Sequence, residues 1–248
     1  MDSLSVIIIT KNESVNIRDC LESVAWVDEI IVVDSASADG TIEIVREYTQ
    51  QIYILEDWPG FGPQKNRALS YASKDWVLSL DADERVTPEL RKEIEVVLQN
   101  ASANGYEIPR LSSFCGRIIQ HSGWHPDFVL RLFRRGKGRF SDALVHESVQ
   151  LQGSSVRLKQ PLLHYSYRDF EDVISKLNSY STAASAMLQR KGKEGGLLKA
   201  VLHGLWAFIR TYFFRAGFLD GKEGFMLAIM NAENSYYRYI KLWLKQKD

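Results

Sequence analysis

The chain opens with Leu4-Ser5-Val6-Ile7-Ile8-Ile9, and short apolar runs return at Glu29-Ile30-Ile31-Val32-Val33, Ile52-Tyr53-Ile54-Leu55 and Trp76-Val77-Leu78-Ser79-Leu80. Runs this short and rich in β-branched residues suit strands buried on both faces, the pattern of parallel sheets. Helical patterning fills the gaps between them, at about 15–24, 41–48 and 63–72. A strand, a helix and a second strand make a crossover unit, and its repetition confines the chain to a mostly parallel sheet with helices on its faces. A chain of 248 residues is long enough to bury such a core.

Past Pro88 the pattern loosens. A helix is predicted over 89–98, short strands over 105–110 and 128–133 that complete a mixed sheet, and a longer helix over 169–189. Gly192-Lys193-Glu194-Gly195-Gly196 then reads as a hinge. Two aromatic-rich helices are expected after it, 197–219 and 225–244. The expected division is a domain over 1–191 and a helical extension over 192–248. From Arg190 onward Lys and Arg outnumber Asp and Glu by 11 to 5, so the extension is basic although the whole chain carries no net charge.

That neutral balance gives no general electrostatic footprint for nucleic acid. Cys20 and Cys115 stand far apart with no Cys-x-x-Cys spacing, which argues against a zinc site or disulfide scaffold and fits a reducing compartment. No basic segment precedes the first apolar run, so no secretory signal is expected.

Ligands of parallel α/β sheets sit beyond the carboxyl ends of the strands. Three polar clusters fall there: Thr10-Lys11-Asn12-Glu13, Asp34-Ser35 and Asp81-Ala82-Asp83. Two carboxylates separated by one residue can hold a divalent cation against a nucleotide diphosphate, or can simply end a strand in a solvated turn. Asp34 can accept hydrogen bonds from a nucleobase or ribose, with Thr10 and Glu13 shaping the same pocket, or all three can cap helices and turns. Lys65, after the Gly60-Phe61-Gly62-Pro63 turn, is a candidate donor to phosphate. The turn is neither a P-loop nor a Gly-x-Gly-x-x-Gly fingerprint.

Taken together, Ser5 through Glu13, Val32-Val33-Asp34-Ser35 with Asp39-Gly40-Thr41, Gly62 through Ala68, and Leu80-Asp81-Ala82-Asp83-Glu84 resemble the family 2 glycosyltransferases. The resemblance implies a single GT-A, Rossmann-like, nucleotide-sugar-binding fold. It also implies nucleotide contacts from Thr10, Glu13, Asp34 and Lys65, and metal-diphosphate binding around Asp81 and Asp83. His121-Ser122-Gly123-Trp124-His125-Pro126, Val145-His146-Glu147, His164-Tyr165 and the basic tail extend it toward the bacterial lipopolysaccharide inner-core β-1,4-glucosyltransferases. The implied reaction moves glucose from UDP-glucose to a heptose of a lipid-linked core, with inversion. Another UDP-sugar, a polysaccharide acceptor, or a noncatalytic nucleotide-sugar-binding membrane scaffold are the alternatives.

Within that resemblance Glu147 is the expected base for the acceptor hydroxyl, with Asp142 as a second choice. Asp83 is the expected ligand of Mg²⁺ or Mn²⁺, Asp81 acts directly or through water, and His164 either joins the metal or is structural. Trp124 offers an aromatic face to a sugar, with His121 and His125 reading hydroxyls, or packs in the interior. Arg131, Arg134 and Arg135 either meet anionic acceptor groups or form a solvated face. The uncharged stretch of the tail is shorter than the roughly 20 residues of a spanning helix, so an interfacial role on the inner leaflet is expected. The protein is then cytoplasmic and peripheral to the inner membrane. Packing over the sheet or between subunits is the other reading of these helices.

Overall fold

The computed structural model describes residues 2–141 and 148–247. The chain divides into two compact units, Met1–Arg110 with Asp127–His164, and Leu111–Pro126 with Tyr165–Asp248. The 191/192 boundary expected from the glycine cluster falls inside the second unit.

In the first unit, β1 (Leu4–Thr10), α1 (Ile17–Ser23), β2 (Glu29–Asp34), α2 (Thr41–Val45), β3 (Ile52–Ile54), α3 (Phe61–Tyr71) and β4 (Trp76–Asp81) follow the expected alternation. Next come β5 (Glu84–Val86), α4 (Pro88–Gln99), β6 (Gly105–Phe114), β7 (Arg117–Ile118) and β8 (Phe128–Arg134). The strands β9 (Gly138–Phe140), β10 (Val149–Leu151), β11 (Ser155–Arg157) and β12 (Leu162–Tyr167) complete the set, with β6 and β12 running on into the second unit.

The main sheet has the order β3-β2-β1-β4-β8-β6-β12-β5. Its first four strands are mutually parallel. Antiparallel β8 extends them, and β6 pairs antiparallel with β8 in turn, giving the mixed, largely parallel sheet that the sequence pattern implies. Alternation along β1 divides its side chains between two apolar layers. Val6 and Ile8 join Ile17, Leu21, Leu78, Leu90 and Ile94, whereas Ile7 and Ile9 join Val33, Ala68, Val77 and Phe133. Burial on both faces is why these strands read as continuous apolar runs.

Register aligns the strand ends: Thr10 lies beside Asp34, and Ile9 beside Asp81. The polar residues that follow the apolar runs are thereby collected along one edge. Helix α4 starts at Pro88 with the Thr87 side chain accepting from Leu90 N at 3.1 Å, a cap followed by proline at the first helical position.

The second unit contains α5 (Phe170–Arg190), α6 (Leu197–Ile209) and α7 (Gly221–Lys245). Phe114, Ile119, Val173, Leu177, Leu227 and Met230 form its core. Lys241 Nζ on α7 donates to Asn178 O, Asn178 Oδ1, Ser181 Oγ and Thr182 Oγ1 at 2.8–3.0 Å, stitching α7 to α5. The helix expected over 197–219 is corrected. It ends at Ile209, passes into a π-helical turn over Arg210–Phe214, and resumes as a 3₁₀ turn over Gly217–Asp220. Backbone approach sets this break, since a Cβ at Gly217 would lie 2.8 Å from Thr211 O. Apolar periodicity alone carries no record of such a contact.

Helix α6 buries Ala200, Gly204 and Ala207, its small residues, against α7. Its large apolar residues face outward, with Leu198, Val201, Leu202, Leu205 and Trp206 all exposed, and Phe213, Phe214 and Phe218 continue the patch. Among the described residues no helix is long and apolar enough to cross a membrane.

Candidate active site

Thr10 and Asp34 form the floor of the site. Asp34 is buried, and its carboxylate accepts from Thr10 Oγ1 (2.7 Å), Ser37 N (2.7 Å) and Ser37 Oγ (2.6 Å). The loop after β1 is tied to the loop after β2, because Asn12 N donates to Ser37 Oγ at 2.7 Å and Ala38 N to Asn12 Oδ1 at 2.9 Å. Glu13 N donates to Thr41 Oγ1 at 2.9 Å, and the Glu13 carboxylate accepts from Asn16 Nδ2 at 2.8 Å. Asp39 accepts from Ser14 N and from Thr41 N and Oγ1. Burial would raise its pKa, but these donors outweigh it and lower it to about 2. The polar loops are therefore a preformed, cross-braced edge.

Helix α3 brings Lys65 to the same edge on its buried face, alongside Gln64 and Ala68. Gln64 Nε2 donates to Ser35 Oγ at 3.1 Å, and Lys65 Nζ pairs with Asp81 Oδ1 at 2.8 Å. The other Asp81 oxygen receives Arg131 Nη2 at 2.5 Å, and the same Nη2 meets Glu84 Oε1 at 2.6 Å. Glu84 also accepts Asp81 N at 3.0 Å, closing the Asp81–Glu84 turn. Arg110 lies 3.5 Å from Glu84 and pairs with Asp127 at 2.8 Å. Cations and carboxylates thus alternate along a network at the end of β4. Burial raises the Asp81 pKa, but the Arg131 and then the Lys65 charge outweigh it and hold the carboxyl far below its usual range. A depressed carboxylate contributes stability above its unfolded pKa, about 3.9, and loses it as pH falls toward the folded value, so both ion pairs persist at neutral pH.

Asp83 stands on the turn after Asp81, and β12 delivers His164 opposite Glu84 of β5. His164 Nε2 lies 3.3 Å from Asp83 Oδ2, with side chains 17% and 23% exposed. One oxygen and one imidazole nitrogen suit a divalent cation that takes its remaining ligands from phosphate and water. Among the described residues no group of three or more His, Cys, Asp or Glu is placed to hold a metal ion by itself. The residues present fit a shared cation and not an all-protein cage.

The structure therefore brings Thr10, Glu13, Asp34, Lys65 and Asp81 to one sheet edge, and Asp83 to His164. Glu147 and Asp142 lie outside the described residues. His121, Trp124 and His125 belong to the second unit. There Trp124 packs on Tyr167 and Phe114, with ring centroids 5.8 and 6.0 Å apart. His121 Nδ1 meets Asp220 Oδ1 at 3.1 Å, and His125 is exposed. Arg131 is not part of a solvated charge face. It is buried between Asp81 and Glu84, while Arg134 lies over the Trp76 ring and Arg135 Nε donates to Lys74 O. The available signal was its place between Leu130 and Leu132 inside an apolar strand, since a cation there requires a buried anion.

The sequence profile of Glycosyl transferase family 2 matches residues 5–151, more than half of the chain. An uncharacterized glycosyltransferase of Rickettsia prowazekii (strain Madrid E) is 31% identical over 255 residues, covering 98% of this chain and 87% of that protein. The lipopolysaccharide core biosynthesis glycosyltransferase LpsC of Rhizobium meliloti (strain 1021) is likewise 31% identical over 255 residues, covering 95% and 93%. Among solved structures, S. aureus TarS 1-349 in complex with UDP-GlcNAc is similar in fold, with a TM-score of 0.51 at 16% identity over 99% of this chain and 91% of that one. The aligned strand ends, the Asp81-Ala82-Asp83 turn and the extent of these matches lead to one conclusion: the chain belongs to glycosyl transferase family 2.

Proposed function

We propose that the chain uses a UDP-sugar donor and, in the sharper form of this reading, moves glucose from UDP-glucose to a heptose of the lipopolysaccharide inner core in β-1,4 linkage. The observation that carries the donor reading is the convergence of Thr10, Asp34, Lys65 and Asp81 on one edge beside the Asp83–His164 pair. Similarity to LpsC over nearly the whole chain supports a core-sugar acceptor.

In this reading Thr10, Glu13 and Asp34 receive the nucleoside, and Lys65 donates to the diphosphate. Asp81, fixed by its two cations, orients the ribose or the sugar. Asp83 and His164 hold Mg²⁺ or Mn²⁺, which when bound supplies positive charge against the diphosphate. Glu147 takes the proton of the acceptor hydroxyl as that oxygen attacks the anomeric carbon from the face opposite UDP. The leaving UDP carries away the bonding pair, and an α-linked donor yields a β product. Trp124, His121 and His125 bind the acceptor sugar.

The test is mass spectrometry of truncated lipopolysaccharide acceptors offered with a panel of UDP-sugars, with divalent cation or chelator. A cation-dependent hexose addition confined to UDP-glucose and heptose-containing cores is expected. Transfer from another UDP-sugar or to another acceptor would discard the sharper form, and UDP binding without any transfer would favour a binding role.

We also infer that the outward apolar face of α6 and the following turns rests on an anionic lipid surface at the cytoplasmic side of the inner membrane. Trp206 and Phe214 are 52% and 72% exposed, and Lys199, Arg210 and Arg215 flank them. Aromatic insertion beside cations matches the chemistry of acidic headgroups. Trp206→Glu with Leu205→Glu is expected to reduce sedimentation with phosphatidylglycerol vesicles at least about tenfold, since each side chain forfeits apolar burial and gains repulsion. Equal vesicle binding by wild type and variant, or a dimer that the variant disperses, would sink this reading.

A further inference from the structure

Outside the donor edge, the second unit contains a buried carboxylate with an unusual set of partners. Asp220 ends the 3₁₀ turn and is almost inaccessible, yet its side chain makes no capping bond to the helix that follows. Its oxygens instead gather donors from a segment about a hundred residues earlier. Gln120 N donates to Oδ1 at 3.1 Å, His121 N reaches Oδ1 and Oδ2 at 3.2 and 3.1 Å, and Ser122 Oγ donates to Oδ2 at 2.8 Å. The fourth partner is the imidazole of His121, whose Nδ1 lies 3.1 Å from Oδ1.

Three of these partners are donors by constitution or by geometry, so the carboxylate is an acceptor at both oxygens. The ring nitrogen facing it must then carry the hydrogen, and of the two neutral tautomers this geometry selects Nδ1–H, whose lone pair lies on Nε2. The ring stays 38% exposed while Asp220 is 3% exposed, so the Nδ1 edge is anchored in the interior and the opposite edge is available to a ligand. The rest of the loop is equally fixed. Ser122 and Gly123 adopt left-handed backbone, φ +59° and +83°. Ser122 N donates to Arg215 O at 2.8 Å, and Trp124 N to His121 O at 3.0 Å. The left-handed φ at Gly123 favours glycine, and the Arg215 guanidinium packs against it, its Nη1 2.2 Å from where a Cβ would stand. Trp124 is held by Tyr167 and Phe114.

We propose that Asp220 is a positioning residue that locks His121 as a hydrogen-bond acceptor, with Nε2 receiving a hydroxyl of the acceptor sugar. This rests on the reading of the 121–125 loop as the acceptor site. A hydroxyl that donates to Nε2 gains basicity at its oxygen, and a loop fixed at both ends loses little entropy on binding, which is what a specificity contact requires. Asp220→Asn keeps the volume, but its amide can donate to Nδ1 and so permits the opposite tautomer, turning Nε2 from acceptor into donor.

The experiment is ¹⁵N NMR of the His121 ring in the full chain, combined with transfer kinetics on a truncated heptose-containing core oligosaccharide and calorimetry with UDP. The wild-type ring is expected as the Nδ1–H tautomer. Asp220→Asn is expected to raise the KM for the oligosaccharide about tenfold, the scale of one lost hydrogen bond, with the Kd for UDP unchanged. An Nε2–H tautomer in the wild type overturns the proposal and needs no variant to fold. If His121→Ala raises KM and Asp220→Asn does not, the positioning role is wrong while the acceptor reading stands. If neither variant, nor Trp124→Ala, changes KM, the acceptor reading itself falls.

Discussion

Asp83→Ala is expected to lower cation-stimulated sugar transfer by at least about a hundredfold while leaving the fold intact. Its side chain is partly exposed on a turn, and its partner is His164, so truncation leaves no buried charge behind. What it removes is one of the two protein groups proposed to share a cation with the diphosphate. Charge stabilisation by a metal at a leaving group is worth several kcal/mol, and about 1.4 kcal/mol is a factor of ten in rate. The variant should bind UDP equally with and without chelator, whereas the wild type should bind it more tightly with Mg²⁺ or Mn²⁺. Glu147→Gln provides the contrast: if Glu147 is the proposed base, its loss should cost roughly 10²- to 10⁴-fold in turnover and leave UDP affinity alone. An Asp83→Ala enzyme that keeps cation-dependent transfer would remove Asp83 from the metal site.

Arg131→Met is expected to destabilise the protein by about 3–5 kcal/mol, the usual consequence of deleting one partner from a buried charge pair. The methionine fills the stem volume but leaves the fully buried Glu84 without its 2.6 Å contact and Asp81 without one of two cations. Even the native arrangement is frugal: Arg131 Nε has no hydrogen-bond partner among the described residues. For a protein of this size the loss corresponds to a fall in melting temperature of roughly 10 °C. In a double-mutant cycle with Glu84→Gln the double variant should recover part of the loss, since it neutralises a buried carboxylate then left with the longer 3.5 Å approach of Arg110 as its ion pair. Coupling below about 0.5 kcal/mol would show that the two charges are solvated in solution and that the pair is not structural.

The sequence was most informative where one physical demand dominated. Strands β1, β2 and β4 are apolar on both faces, so their ends could be placed nearly to the residue, and with them Thr10, Asp34 and Asp81. Parallel register then brings those ends together without further information. Arg131 reads in sequence with Arg134 and Arg135 as one charge run, although it lies inside the buried part of β8 while they stand at and beyond its end. Strand β12 was not anticipated, because its burial is irregular and its partner β5 is three residues long. His164 could be named from resemblance, but its 3.3 Å approach to Asp83 depends on a pairing that no local pattern encodes. The break after α6 was hidden because it is set by the close backbone approach of Gly217 to Thr211, which apolar periodicity does not register.

The pairing of β12 with β5 has a temporal meaning as the chain leaves the ribosome. The parallel strands and Asp83 emerge early, and their local crossovers can form while the rest is still being made. His164 arrives later, beyond the 5–151 segment that defines the family. A fragment cut at the end of that segment would retain the aligned carboxylates and lack the strand that seals β5 and presents the histidine. The nascent chain thus carries the aligned strand ends before the strand that sets His164 beside Asp83, and that strand is the last of the described ones to be made.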